Sequence, residues 1–175
     1  KLKHDGDIDW KKCLGDIGPE AAFSIQQTRD GGYIVAGKQS VADGVFWGKD
    51  NAWIVKLTAT GNIEWTKSLG GSGDDVANSI QQTMDGGYIV AGYSSSNDGD
   101  VWGHHGSTGF QAKPDFWVVK LQSNGDTTWT RSLGGTGEDV ARSVVQTTDG
   151  GYMVVGYSYS VNGDVTNTRS GKKDW

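Results

Sequence analysis

The stretch "SLGGSGDDVANSIQQTMDGGYIVAGYS", Ser68–Ser94, returns as "SLGGTGEDVARSVVQTTDGGYMVVGYS" at Ser132–Ser158, and 19 of the 27 positions are identical. A further copy of its centre, "DGGYIVAG", lies upstream at Asp30–Gly37. The Asp-Gly-Gly-Tyr motif therefore recurs at spacings of 55 and 64 residues, and a tryptophan keeps the same step at Trp10, Trp65 and Trp129. A fixed period of this kind marks one structural unit used repeatedly. The units run over residues 10–64, 65–128 and 129–175 of a single 175-residue domain segment.

Each unit reads as four strands. In the second, these are "SIQQT" (Ser79–Thr83), "YIVAGY" (Tyr88–Tyr93), "WVVKL" (Trp117–Leu121) and "TWTRSL" (Thr128–Leu133). The Asp85-Gly86 pair between the first two predicts a hairpin with a type I′ turn. In the third strand Trp117, Val119 and Leu121 share one face by the two-residue period, and no stretch sustains a helical period. Four short antiparallel strands per unit predict an all-β chain: a β-propeller of about three four-stranded blades, forming part of a larger or oligomeric ring.

Composition agrees with many strands and turns, since 28 glycines accompany eight tryptophans and only two prolines. A net charge of −5 argues against a nucleic-acid partner, which needs a clustered basic surface. No stretch has the roughly 18 apolar residues of a membrane span. The single Cys13 stands where the other copies have Ser68 and Ser132, so it reads as a small strand residue rather than a nucleophile.

All the variation in repeat length falls between the second and third strands: Tyr33 to Trp53 is 20 residues, Tyr88 to Trp117 is 29. With strands in sequential order, that loop emerges on the same side as the acidic connectors "GGSGDD" (Gly70–Asp75) and "GGTGED" (Gly134–Asp139). Variable surface loops are where function collects. They hold "SNDGDV" (Ser96–Val101) and "VNGDV" (Val161–Val165), Asp/Asn oxygens around a glycine as on one side of a Ca²⁺ loop. Asp98, Asp100 and Asp115 are the candidate ligands in one copy, with Asn162, Asp164 and Asp174 in the next. Turn capping by Asp and Asn explains the same pattern without a metal. Trp47 and Trp102 lie in the variable loops as an aromatic platform for sugar or peptide. His104 and His105 are the only histidine pair and sit in the same loop as Trp102.

With "SLGG[ST]G[DE]D", "DGGY" and "WVVKL" laid out, the chain resembles a family of secreted repeat proteins common in Bacteroidota and some archaea. The resemblance covers nearly all residues and implies tandem propeller blades in an extracellular or cell-surface protein. It implies no enzymatic activity on named residues. The first copy departs from it, with "CLGDIGPEAAFS" (Cys13–Ser24) as connector.

Lys1-Leu2 aligns with Lys120-Leu121, and Asp174-Trp175 aligns with the start of the same third strand. The expected partners are accordingly further blades of the same chain or other copies of it. The leading function is non-enzymatic, in adhesion, scaffolding or assembly. Glycan or peptide binding by the Asp- and Trp-bearing loops, with Ca²⁺ as its cofactor, is the alternative, and a hydrolase ranks third.

Overall fold

The computed structural model describes residues 1–15, 18–42, 47–106 and 112–165. Among them are ten strands and no helix: β1 (Glu20–Gln27), β2 (Tyr33–Ala42), β3 (Trp47–Leu57), β4 (Ile63–Leu69), β5 (Asp75–Gln82), β6 (Tyr88–Ser94), β7 (Asp115–Leu121), β8 (Thr127–Leu133), β9 (Asp139–Gln146) and β10 (Tyr152–Ser158). They form two four-stranded sheets, β1-β2-β3-β4 and β5-β6-β7-β8, and a two-stranded sheet of β9 and β10. Every pairing is antiparallel. Among the described residues no sheet closes on itself. The tryptophan that recurs through the sequence belongs to the last strand of a sheet, Trp65 in β4 and Trp129 in β8.

The hairpin at Asp85-Gly86 forms, but with a different turn from the type I′ expected. Gly86 alone takes a positive φ, of 84°, and no non-glycine residue of the described chain does. Gly86 N–H donates to the Thr83 carbonyl (3.0 Å) and Thr83 N–H to that of Gly87 (2.9 Å), a three-residue loop closed by a glycine bulge. Asp85 stays at negative φ because its carboxylate is tied down, accepting from Gly87 N–H (3.0 Å) and the Thr83 hydroxyl. It also meets the Lys120 ammonium at 2.9 Å. In the first sheet Asp30 makes the same contact with Lys56 at 2.8 Å. The recurring Asp of "DGGY" and the recurring Lys of "WIVKL" and "WVVKL" are thus one device, which gives a buried ammonium its counter-ion.

The last glycine of the motif has a separate cause. Strand β5 bulges between Ala77 and Ser79 opposite β6. A Cβ on Gly92 would lie 1.8 Å from the Val76 carbonyl oxygen, so only glycine lets the strands meet there.

Strand β7 is buried on both faces. Trp117, Val119 and Leu121 are buried, but so are Val118 and Lys120. Sheets pack against both faces of this strand: Val119 belongs to a cluster shared with Ile34 and Ile54 of the first sheet, and Val118 to one shared with Ala141 and Val144 of β9. Burial of each large apolar side chain here is worth about 1.5–3 kcal/mol.

Neighbouring sheets are also joined by a polar ladder along their first strands. Ile80 N–H donates to the Ser24 hydroxyl (3.3 Å), and Gln82 N–H to Gln26 Oε1 (2.6 Å). Gln82 Oε1 in turn accepts from Arg29 N–H (2.9 Å). The same rungs link Val144 to Ser79 (3.3 Å), Gln146 to Gln81 (2.6 Å), and Met84 N–H to Gln146 Oε1 (2.7 Å). This regular ladder sets β1, β5 and β9 side by side.

Candidate functional site

The variable loops and the acidic connectors do emerge together, because each sheet runs in sequential order. Their contact is direct: Ser95 N–H donates to the Asp74 carbonyl at 2.9 Å and Asp100 N–H to the Gly70 carbonyl at 3.0 Å.

The side chains then lock the loop onto the connector. Asp75, fully buried at the start of β5, accepts from Gly71 N–H (2.8 Å), the Ser96 hydroxyl (2.9 Å) and the Ser94 hydroxyl. Burial raises its pKa, opposed by these three bonds. Ser96 Oγ accepts from Gly73 N–H (2.8 Å), Asp98 Oδ1 from Ser72 N–H (2.7 Å) and Asp100 Oδ2 from Gly70 N–H (3.1 Å). Successive amides of Gly70–Gly73 each find an oxygen. The next copy repeats the clasp: Asp139 takes Gly135 N–H (3.0 Å) and the hydroxyls of Ser158 and Ser160. Asn162 Oδ1 takes Thr136 N–H (2.9 Å), and Asp164 Oδ2 takes Gly134 N–H (3.3 Å).

Four candidate Ca²⁺ ligands, Asp98, Asp100, Asn162 and Asp164, therefore each have one side-chain oxygen engaged by a backbone amide. Asp174 lies outside the described residues. Among the described residues no three His, Cys, Asp or Glu side chains are placed to hold one metal ion.

The first sheet is built differently. Its β2–β3 hairpin extends to Ala42 and Trp47 and carries Asp50, which pairs with Lys38 and accepts from Ser40. The connector Asp is replaced there by Glu20. Trp47, expected in a variable loop, instead opens β3 in this longer hairpin, whereas Trp102 lies in the loop between β6 and β7. Trp102 is 71% exposed beside fully buried Val101, which anchors its backbone.

Sequence spacing did not reveal one cluster. His104, His105, Asp115 and Asp164 converge where the second loop meets the third repeat. His105 N–H donates to Asp115 Oδ2 at 2.6 Å, and its Nδ1 lies 2.9 Å from the same oxygen. Its Nε2 is 3.5 Å from Asp164 Oδ2. The His104 ring is wholly buried, with Nδ1 3.5 Å from Asp115 Oδ2 and no hydrogen bond at either nitrogen. Asp115 Oδ1 is likewise buried without a partner. Burial raises the Asp115 pKa, opposed by the bonds from His105. Chemically, the cluster can hold a proton between imidazole and carboxylate and fix the Trp102 loop. The shared oxygen Asp115 Oδ2 gives it the geometry of a loop anchor. The only sequence signal was that His104-His105 and Asp115 flank the same insertion.

No protein-family model matches the chain, and no curated protein matches it. Among the described residues no helix is long and apolar enough to cross a membrane.

Proposed function

We propose that the chain is a β-propeller module with a non-enzymatic role in adhesion, scaffolding or assembly, on an extracellular or cell-surface protein. In this reading each four-stranded sheet is one blade, and β1, β5 and β9 are the inner strands. The observation that carries it is the repeated clasp. Asp75 and Asp139 occupy equivalent positions and spend their oxygens on equivalent amides and hydroxyls, as an architectural device does. A catalytic carboxylate is made once and faces a substrate. The test is a panel of chromogenic glycosides, esters and peptides. No turnover is expected, whereas turnover lost in Asp115→Asn, with the fold retained, would establish a hydrolase.

Exposed Trp102 favours a second reading, a binding module for glycan or peptide. A glycan or peptide array with wild type and Trp102→Ala decides it. Binding lost in the variant supports recognition by this loop, and no binding by wild type dismisses it.

A further inference from the structure

The first strand of each sheet bulges at the same place. The pairing skips one residue between Ala22 and Ser24 in β1, between Ala77 and Ser79 in β5, and between Ala141 and Ser143 in β9, which leaves Phe23, Asn78 and Arg142 outside the ladders. The bulge is built into every sheet, since a Cβ on Gly37, Gly92 or Gly156 would meet the opposite carbonyl oxygen at 1.9, 1.8 or 2.0 Å. On either side the copies agree, with alanine before and serine after in all three. The bulged residue itself differs each time: an aromatic ring, an amide and a guanidinium. A bulge re-aims a side chain, and a site made once in a repeat fold draws on the positions where its copies differ.

The three side chains converge. With Lys38, Val76 and Tyr93 they line one pocket of about 300 Å³, whose walls come from all three sheets. Its middle wall is β5, which has a neighbouring sheet bonded to it on each side. Asn78 Nδ2 donates to the Ala141 carbonyl at 2.8 Å, tying the amide to the next bulge, and its Oδ1 accepts no hydrogen bond among the described residues. The Tyr93 hydroxyl has no hydrogen-bond partner among them either, and burial holds its pKa above the usual value, so it stays a neutral donor. The charges are unevenly answered. Lys38 pairs with Asp50 at 2.5 Å, and Asp74 accepts from Asp50 N–H at 3.0 Å. Arg142 lies over the Tyr157 ring, 5.4 Å from its centre, and forms no ion pair with a described carboxylate. Phe23, across the pocket on β1, is half-exposed.

We propose that this pocket binds a carboxylated sugar, a single uronate-type ring, with its carboxylate on Arg142 and its apolar face on Phe23. A guanidinium matches a carboxylate with two parallel N–H donors. An aromatic side chain offers the broad apolar surface that the C–H face of a sugar needs. Asn78 Oδ1 and the Tyr93 hydroxyl supply an acceptor and a donor for ring hydroxyls. The volume is at the lower end of small-molecule sites, roughly 300–1,000 Å³, and admits one ring rather than an extended chain. This deepens the adhesion reading and rests on it. The site is separate from the Trp102 loop, because its three bulged residues lie on β1, β5 and β9.

Isothermal titration calorimetry separates the contributions, using the methyl glycosides of glucuronate and galacturonate, those of glucose and galactose, and N-acetylglutamate. At least one uronate is expected to bind about tenfold or more tightly than its neutral counterpart, the worth of one charge-assisted contact. It is also expected to outbind N-acetylglutamate, which has carboxylates and no sugar ring. Arg142→Gln, at an exposed position, is expected to abolish the preference for the uronate, and Asn78→Ala to weaken both kinds of sugar. Circular dichroism checks that each variant folds. Trp102→Ala is expected to bind as wild type does. No uronate binding up to about 10 mM, equal affinity for acidic and neutral sugars, or N-acetylglutamate binding as tightly as the uronate each overturns the proposal. So does a uronate affinity that Trp102→Ala lowers and Arg142→Gln leaves unchanged, which assigns the sugar to the loop. Turnover of a chromogenic substrate would remove the adhesion reading without altering this titration, so the two fail separately.

Discussion

Replacing Asp75 with alanine strikes the clasp where it is least accessible to water. The carboxylate is fully buried and is the acceptor for Gly71 N–H, the Ser96 hydroxyl and the Ser94 hydroxyl. Both serines are themselves buried, so water does not readily replace the lost oxygens. A buried donor left unpaired costs about 1–3 kcal/mol. Three donors set the gross loss, and relief of the carboxylate's own desolvation, visible in its raised pKa, offsets part of it. The net expectation is about 3–5 kcal/mol, a large share of the roughly 5–15 kcal/mol that holds a domain folded. Asp75→Asn keeps the shape but turns one acceptor into a donor, and should lose about half as much. Urea unfolding followed by tryptophan fluorescence measures both variants. A loss for Asp75→Ala below about 1 kcal/mol, at unchanged slope, would refute the reasoning that the clasp carries stability.

Gly92→Ala places a methyl against the Val76 carbonyl and should destabilise by at least about 3 kcal/mol, measured by the same unfolding curves. Gly86→Ala, at a turn φ of 84° with open space around it, should cost only about 1 kcal/mol. Asp85 has its pKa lowered to about 2 from 3.8, first by the Thr83 hydroxyl and then by Lys120. Its contribution is therefore present above pH 3.8 and lost as pH falls toward about 2, so acid titration of Asp85→Asn should be flatter than wild type in that window. Excess Ca²⁺ against chelator should shift the melting temperature by less than about 1 °C, because amides already occupy the loop oxygens; a rise of several degrees would restore Asp98, Asp100 and Asp164 as ligands.

The strands were legible because their signals are local. "YIVAG" and "WVVKL" carry β-branched and aromatic residues between glycine-marked turns, and both fall within observed strands. The turn type was misread because Asp-Gly suits a type I′ loop, and nothing in the dipeptide says that Thr83 and Lys120 hold Asp85 at negative φ. Burial of Val118 was hidden for a related reason. Alternation shows which residues share a face of β7, not that a neighbouring sheet covers the other. The clasp left a trace, since Ser94, Ser96, Asp98 and Asp100 recur as Ser158, Ser160, Asn162 and Asp164. Its partners lie 19 to 30 residues away along the chain, so the acidic pattern alone resembled a cation loop. The His104–His105–Asp115–Asp164 cluster draws on two different repeats, and only the fold brings them together.

The claim that these sheets are blades of a ring is tested most directly by electron microscopy of the 175-residue chain in solution. Face-on class averages should show the sheets as radial densities arranged around a central channel. An elongated particle, with its sheets stacked in a row and no channel, would contradict the account.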